Sequence, residues 1–400
     1  MNYEETLTYI HQTPKFSRVL GNTVLKKLLY QLGNPQMGQK YIHVGGTNGK
    51  GSVVAMTAHI LNHAGYKTGI FTSPYLERFN ERISINGTPI SDDDLARLAT
   101  KVRLCMEKNQ IFVSEFALDL TIAFLYFAEQ NCDFILLEVG MGGRLDATNV
   151  IKASAVTALT SIGRDHMQYL GESLAEITRE KCGIIKPNGI VVVAPDQANI
   201  VLEEIKIACT EQNSAMVLAD LSVAEPFTLG LKGSFQRKNA AVAIEICRQL
   251  RTQGWDITRQ NIASGLSATR WPGRFEKIRD HLILDGAHNL PAAKELATEL
   301  SSLGEKIHLI TAMMKDKEVE EVVRILSQTA NKVTVTEVDM PRCYPAEDLK
   351  KLFISNGCET NIIKPSITAV QEAIEDNSHL VCVCGSLYLV GEIRKQLSNI

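Results

Sequence analysis

The chain has 400 residues, of which 45% are hydrophobic, 22% charged and 6% aromatic, and its formal net charge is −3. This composition is typical of a folded globular protein and excludes the disordered and fibrous classes. The lack of a basic excess and of interleaved aromatic residues argues against a nucleic-acid partner. A chain of this length is expected to form two or three domains.

The amino terminus, MNYEETLTYIHQ, lacks the basic start and apolar middle of a signal peptide, so we predict a first helix there. The longest apolar stretch, from Phe116 to Ala128, contains Asp119 and is shorter than the ~20 residues that a spanning helix needs, so no membrane partner is expected. The nine cysteines show neither zinc spacing nor a disulfide framework, which predicts reduced thiols in a cytoplasmic protein.

From residue 40 onward, apolar β-branched runs alternate with helical patterns, which predicts an α/β fold with a mainly parallel sheet. Strands are predicted at 41–44, 67–72, 133–139, 155–160 and 190–194. Two helix starts are indicated by a hydroxyl three residues before an acid, Ser91 before Asp94 and Ser173 before Glu176. Asn86-Gly87 predicts a hairpin turn.

A break in the pattern follows the helices predicted at 239–250 and 259–268, where Pro272 and Gly273 interrupt the segment SATRWPGRFEK. Beyond it, the apolar runs HLILD, KIHLIT, KVTVTEV and LVCVCG alternate with helical patterns, and about 125 residues suffice for a small Rossmann-like domain. We therefore predict one domain over residues 1–267, a linker over 268–275 and a second domain over 276–400.

A glycine-rich loop separates the predicted strand YIHV from a helix expected near Ser52. Its sequence is Gly45-Gly46-Thr47-Asn48-Gly49-Lys50-Gly51-Ser52. Such a loop turns backbone N–H groups toward a phosphate, and its lysine reaches the outer phosphates. The strict P-loop pattern fails, because Val44 occupies its first glycine position and Gly51 follows the lysine. A glycine-rich turn without a ligand and a generic P-loop kinase or GTPase are the alternatives.

The motif GTNGKGS resembles the phosphate loop of the Mur ligase superfamily, in particular its folylpolyglutamate synthase branch. FTSPYLERFNERISING at 71–87 and LLEVGMGGRLDATNV at 136–150 resemble segments of the same family. The motifs SIGRDHMQYLG, EITREKCGIIKP, TRWPGRFEK, ILDGAHN and CGSLYL extend the resemblance to the final helix. It implies a P-loop Mur ligase-like central domain that binds ATP, a hinge at the linker, and a Rossmann-like glutamate ligase domain at the carboxyl end.

The resemblance also implies a magnesium centre. Glu138 ends one predicted strand and His166 follows another, so both are expected at the carboxyl edge of the sheet, where α/β proteins bind ligands. Taken alone, the two would be a solvated acid and a surface histidine. By resemblance they hold Mg²⁺ at two sites together with Ser52, Ser73 and Lys181, and hydroxyl and carboxylate oxygens suit this cation.

Lys181 lies at helical spacing with Leu174, Ile177 and Ile184, on an apolar stripe where a lysine is costly. Burial favours the neutral form of an amine, and a neutral amine can react with carbon dioxide to give an anionic carbamate. The resemblance implies a carbamylated lysine here. The alternative is a lysine whose stem packs while its ammonium reaches water.

The resemblance implies transfer of the ATP γ-phosphate to a carboxylate, followed by attack of an amine on the acyl phosphate. Lys50, Lys181, His166 and Arg274 are then the catalytic candidates, since Lys50, Mg²⁺ and Arg274 would stabilise the charge that develops. The remaining nucleotide-binding candidates are Gly46, Thr47, Asn48, Gly49, Gly51, Ser52, Asn239, Asp285 and His288. Asp285 and His288 could instead cap a helix. Many relatives carry histidine where this chain has Phe235, so an adenine contact there does not carry over.

The expected substrates are folate or dihydropteroate with L-glutamate, handled by a monomer. Dihydrofolate synthase activity, alone or alongside tail extension, is the first alternative, and the pterin-binding segment is expected near Phe16 to Leu32. A muramyl-peptide ligase is disfavoured because only about 40 residues precede the loop strand. A nucleotide-gated binding module is disfavoured because it has no need of a carbamylated lysine.

Overall fold

The computed structural model describes residues 1–15, 21–376 and 378–397. Helices within these residues are α1 Tyr3–Gln12, α2 Thr23–Gln31, α3 Lys50–His63, α4 Asp92–Asn109, α5 Glu115–Glu129, α6 Met167–Leu170, α7 Leu174–Cys182, α8 Asn199–Glu211, α9 Gln236–Thr252, α10 Arg259–Ala268, α11 Leu290–Ser302, α12 Val319–Leu326, α13 Ala346–Ser355, α14 Ser366–Asp376 and α15 Leu387–Leu397. Strands are β1 Tyr41–Gly45, β2 Thr68–Phe71, β3 Ile83–Ile85, β4 Thr88–Pro89, β5 Phe134–Glu138, β6 Val156–Leu159, β7 Ile190–Val193, β8 Ala215–Leu218, β9 Glu276–Arg279, β10 Leu282–Leu284, β11 Ile307–Thr311, β12 Ala330–Val335, β13 Thr360–Ile362 and β14 Leu380–Cys384.

The first sheet has the strand order β4-β3-β2-β5-β1-β6-β7-β8. Its strands pair in parallel except at the β2, β3 and β4 end, where pairing is antiparallel. β1 is paired in parallel on both sides and is buried along its whole length, which suits the continuous apolar run YIHV. The predicted α/β class with a mainly parallel sheet is confirmed.

The second sheet has the order β13-β12-β11-β14-β10-β9 and is parallel apart from β9, which pairs antiparallel with β10. Its strands and helices enclose a separate hydrophobic core, with Leu309, Val335 and Cys382 among its fully buried members. In a sheet built this way, the loops that follow β10, β11, β12 and β14 meet at one carboxyl edge.

The chain divides into two compact units. The first comprises residues 1–163, 170–230 and 237–269, and the second comprises 164–169, 231–236 and 270–400. The second unit therefore contains two short segments that the chain contributes from within the span of the first. The division expected from the sequence, with residues 1–267 in one piece, remains a proposal.

Most local predictions are confirmed. Ser91 accepts a hydrogen bond from Asp94 N and Ser173 from Glu176 N, each capping the helix that follows. Asn86 and Gly87 have φ of 50° and 79° and connect β3 to β4 as a tight turn. The expected pterin segment from Phe16 to Leu32 lies partly outside the described residues, which resume at Gly21 and continue into α2.

All nine cysteines are free thiols. Among the described residues, every helix is too short or too polar to cross a membrane.

Candidate active site

The phosphate loop spans residues 46–49, between the end of β1 and the start of α3. α3 begins at Lys50, two residues earlier than expected. Gly46 and Gly49 both have positive φ, 140° and 87°. A Cβ atom on Gly46 would overlap the hydroxyl of Thr160, and one on Gly49 would overlap the amide of Asn239. Both positions therefore require glycine, and Asn239 packs directly against the loop.

The loop is fixed to the segment that follows β6. The backbone N–H groups of Thr47 and Asn48 donate to the carbonyl oxygen of Ser161 at 2.8 and 3.2 Å. The Thr47 hydroxyl donates to Gly163 O at 2.9 Å and accepts from Gly163 N at 3.0 Å. A loop held in one conformation beside the first turn of a helix is a suitable binding site for an anion.

Two lysines converge on one carbonyl group of this loop. Lys50 Nζ donates to Gly46 O at 3.2 Å and to Thr47 O at 3.0 Å. Lys181 Nζ donates to the same Gly46 O at 2.9 Å. The two side chains thus place positive charge at one point beside the phosphate loop.

Lys181 is only 4% exposed, so its ammonium lies against the loop and does not reach bulk water. Ile177 is fully buried on the same helix, as the apolar stripe predicts. Ile184 is also fully buried, but α7 ends at Cys182, so Ile184 belongs to the turn that follows and the predicted stripe was wrong at that position. Gly143 lies so close to α7 that a Cβ atom on it would be 3.0 Å from Lys181 Cα. The glycine-rich segment after β5 therefore helps to position this lysine.

Of the predicted magnesium ligands in the first unit, Glu138 and Ser73 lie in contact with each other. Glu138 is 6% exposed at the end of β5, and its Oε2 accepts a hydrogen bond from Ser73 N at 3.2 Å. Ser52 is buried in the first turn of α3. No group of three or more His, Cys, Asp or Glu side chains within the described ranges could hold a metal ion by itself.

In the second unit, Asp285 is buried beside Arg274. Its carboxylate accepts the N–H groups of Phe275 at 2.7 Å and Ala287 at 2.8 Å. Burial raises the pKa of Asp285, and the Arg274 guanidinium opposes that rise. The capping alternative does not hold, because Asn289 is the residue that caps α11.

The His288 side chain is held as a neutral imidazole. Its Nδ1 lies 2.7 Å from Gly286 O, and because a carbonyl oxygen only accepts, the proton must be on Nδ1. Burial and the nearby Lys317 ammonium lower the pKa of His288 to about 4. The lone pair of Nε2 is therefore available as a hydrogen-bond acceptor at neutral pH.

His166 belongs to the second unit, whereas Glu138 and Lys181 belong to the first, so its predicted role with them at magnesium stays a prediction. The sequence analysis missed three residues near it, Asp165, Asn289 and Lys317, which form a hydrogen-bonded cluster. The available signal was their position in the loops that follow β6, β10 and β11. Phe235 packs against the core of the second unit.

Two family models match the chain: the Mur ligase middle domain over residues 44–247, and the dihydrofolate synthetase C-terminal domain over 274–396. The dihydrofolate synthase/folylpolyglutamate synthase of Bacillus subtilis is 34% identical, over 99% of both chains. The folylpolyglutamate synthase of Lacticaseibacillus casei is also 34% identical, again over 99% of both chains.

Among solved structures, the folylpolyglutamate synthase of Mycobacterium tuberculosis complexed with ADP matches with a TM-score of 0.88 and 26% identity, over 98% of both chains. The similarity thus extends over nearly the whole length of the chain and of these proteins. The chain belongs to the folylpolyglutamate synthase and dihydrofolate synthase family of Mur ligases.

Proposed function

We propose that this ligase uses ATP to add L-glutamate to the γ-carboxylate of the glutamate tail of a folate. The γ-phosphate of ATP activates that carboxylate as an acyl phosphate, the glutamate amine displaces phosphate, and ADP is released. The observation that carries the proposal is the convergence of Lys50 and Lys181 on Gly46 O, at a loop where glycine is required on steric grounds. The Lys50 ammonium at that point suits the charge of the phosphoryl group as it is transferred.

We propose that Mg²⁺ is held by Glu138, Ser52, Ser73 and His166, with a carbamate on Lys181. When bound, the cation would offset the negative charge of the phosphate groups. The donors present fit it, because Glu138 is a buried carboxylate that lies against the backbone of Ser73, and carboxylate and hydroxyl oxygens, completed by phosphate and water, are the ligands that Mg²⁺ prefers. The burial of Lys181 supports the carbamate, since a buried cationic amine is unfavourable.

Arg274 and Lys50 are proposed to stabilise the charge that develops on the phosphoryl and acyl oxygens. Asp285 accepts two backbone N–H groups that flank Arg274 and His288 in the chain, and so fixes the backbone that carries both. The proposed nucleotide contacts are those of residues 46–52, Asn239, Arg274, Asp285 and His288. The domain division at 1–267, the hinge at 268–275, the monomeric state and the cytoplasmic location belong to the same proposal.

The test is ATP-dependent incorporation of labelled glutamate, with tetrahydrofolate monoglutamate and dihydropteroate offered in parallel. We expect incorporation with tetrahydrofolate, with ADP formed in equal amount. Incorporation with dihydropteroate as well would establish a bifunctional enzyme, as the Bacillus subtilis relative is named. Incorporation with dihydropteroate alone would replace the proposal by dihydrofolate synthase, and no incorporation with either would refute both.

A further inference from the structure

The carboxylate of Asp165 accepts hydrogen bonds from three different parts of the second unit. Lys317 Nζ donates to it at 2.8 Å and Asn289 Nδ2 at 2.8 Å. The backbone N–H of His166, the next residue, donates at 2.9 Å. The side chains of Asp165 and Lys317 are 10% and 8% exposed. This is a built polar cluster inside the unit.

The cluster joins two loops at the carboxyl edge of the second sheet. Asn289 follows β10 and caps α11 by accepting Ala292 N at 3.0 Å. Lys317 follows β11, and β14 lies between β10 and β11 in the sheet. Asp165 therefore connects the loops on either side of β14, at the edge where α/β proteins bind ligands.

Lys317 Nζ and Asp165 Oδ1 form an ion pair at 2.8 Å, and both side chains are nearly buried. A buried ion pair is weak evidence for stabilisation, because desolvation of both charges offsets their attraction. Arg274 and His288 are also near, since Lys317, Asp165 and Arg274 all influence the pKa of His288. The carboxylate thus lies among groups already placed in the proposed active site.

We propose that Asp165 is a positioning residue of the ligase reaction, which acts by holding the Lys317 ammonium where it meets an oxyanion. That oxyanion is either a carboxylate of the incoming amino acid or a phosphoryl oxygen, since an ammonium recognises both as a point charge. Asn289 fixes the other oxygen of the carboxylate, so the lysine is held in one orientation. The inference rests on the proposed ligase function and adds a residue to it.

The test compares Asp165→Asn, Lys317→Met and the double variant with the unmutated enzyme in the glutamate incorporation assay. We expect each single variant to lower kcat/KM at least tenfold, and the double variant to be no worse than Lys317→Met, because residues that act through one another are not additive. A raised KM for glutamate would identify the amino-acid carboxylate as the partner. A lowered kcat or a raised KM for ATP would identify a phosphoryl oxygen.

The matched control is Glu337→Gln. Glu337 also accepts a lysine ammonium, that of Lys364 at 2.5 Å, and a backbone N–H, that of Ala346 at 2.8 Å, but it lies outside the proposed machinery. We expect this variant to keep full activity. Asp165→Glu retains the negative charge and is expected to recover part of the activity lost in Asp165→Asn, which also covers the case in which the asparagine variant does not fold.

Additive losses in the double variant, full activity of Asp165→Asn, no recovery in Asp165→Glu, or an equal loss in Glu337→Gln would each overturn the inference. Failure of the unmutated enzyme to incorporate glutamate would instead refute the proposed function on which it rests.

Discussion

At the scale of single residues, Lys181 is a long cationic side chain that water scarcely reaches. We expect Lys181→Ala to lose most ligase activity and to stay folded, because truncation also removes the cost of burying the amine. Acetate should partly restore turnover by occupying the place of the proposed carbamate, whereas bicarbonate should not. Glutamate incorporation with and without acetate, beside circular dichroism of the variant, checks this. Full activity without acetate would rule out the carbamate.

Gly49 and Gly65 make a matched pair for testing the phosphate loop. Their φ angles are 87° and 89°, so alanine at either site should cost about 1 kcal/mol in backbone strain. Only Gly49 faces a neighbour, Asn239, whereas Gly65 has open space around it. We expect Gly49→Ala to lose more stability in urea unfolding than Gly65→Ala, because it adds an overlap with Asn239 to the backbone strain, and only Gly49→Ala to lose ADP affinity by calorimetry. Equal ADP affinity in the two variants would contradict the loop assignment.

Asp119 is fully buried in α5, and neither of its oxygens accepts a hydrogen bond from the described residues. Burial, opposed by Arg82 at 3.8 Å, raises the pKa of Asp119 to about 7 from 3.8 in the unfolded chain. The native state therefore keeps a proton that the unfolded state has released, and stability should fall as pH rises from about 4 to about 7. The upper limit of this fall is about 4 kcal/mol.

Asp119→Asn should abolish that pH dependence, because the amide does not ionise. Urea unfolding at pH 5 and pH 8 measures it, and the same slope in the variant as in the unmutated protein would show that another group is responsible.

Sequence reasoning singled out Lys50, Glu138 and Lys181 because each stands in a recognisable pattern, a glycine loop, a strand end or an apolar helical stripe. It missed Lys317 and Asn289. Both donate hydrogen bonds to the carboxylate of Asp165, more than 120 residues away in the chain. The spacing of apolar residues along a sequence does not indicate contacts between such distant polar residues. Sequence reasoning was wrong about Ile184, which it placed on the helical stripe of Lys181, because α7 ends at Cys182, before the apolar pattern ends.

At the scale of elements, the capping of α7 matters because this helix carries Lys181. Ser173→Ala and Ser91→Ala remove equivalent caps from α7 and α4, with hydroxyl oxygens 3.2 and 3.1 Å from the N–H groups that they accept. Each should lower the free energy of unfolding by about 1 kcal/mol. We expect only Ser173→Ala to lower activity as well, measured as glutamate incorporation. Equal activity in the two variants would show that the cap at the start of α7 does not influence the position of Lys181.

Strands with continuous apolar runs were predictable, but β8, β9 and β13 were not. β9 is EKIR, with no fully buried residue, and β13 has three residues of which none is fully buried. β8 is apolar, AMVL, but it has only four residues and none of them is fully buried. β9 and β13 form because a neighbouring strand supplies hydrogen bonds, and their own composition gives no apolar signal. β12 begins at Ala330, two residues before the predicted run, for the same reason.

At the scale of the whole molecule, nucleotide binding should raise the free energy of unfolding. A ligand at 100 times its Kd adds about 2.7 kcal/mol to the native state. We expect ADP with Mg²⁺ to raise the unfolding temperature of the unmutated enzyme in scanning calorimetry, and to leave that of Lys50→Ala nearly unchanged. The Lys50→Ala variant should also show no turnover while retaining its secondary structure. A full thermal shift in this variant would remove Lys50 from the nucleotide site.

The two short segments 164–169 and 231–236 bear on how the chain folds as it leaves the ribosome. The first sheet is complete once residue 218 has been synthesised, and domains fold as units from the amino end. Both segments are made before the rest of their own unit, residues 270–400. Asp165 therefore cannot form its hydrogen bonds with Asn289 and Lys317 until those residues have been translated. In a nascent chain stalled before residue 289, the first sheet would be complete. The Asp165 carboxylate, which is nearly buried in the folded protein, would still be exposed to solvent.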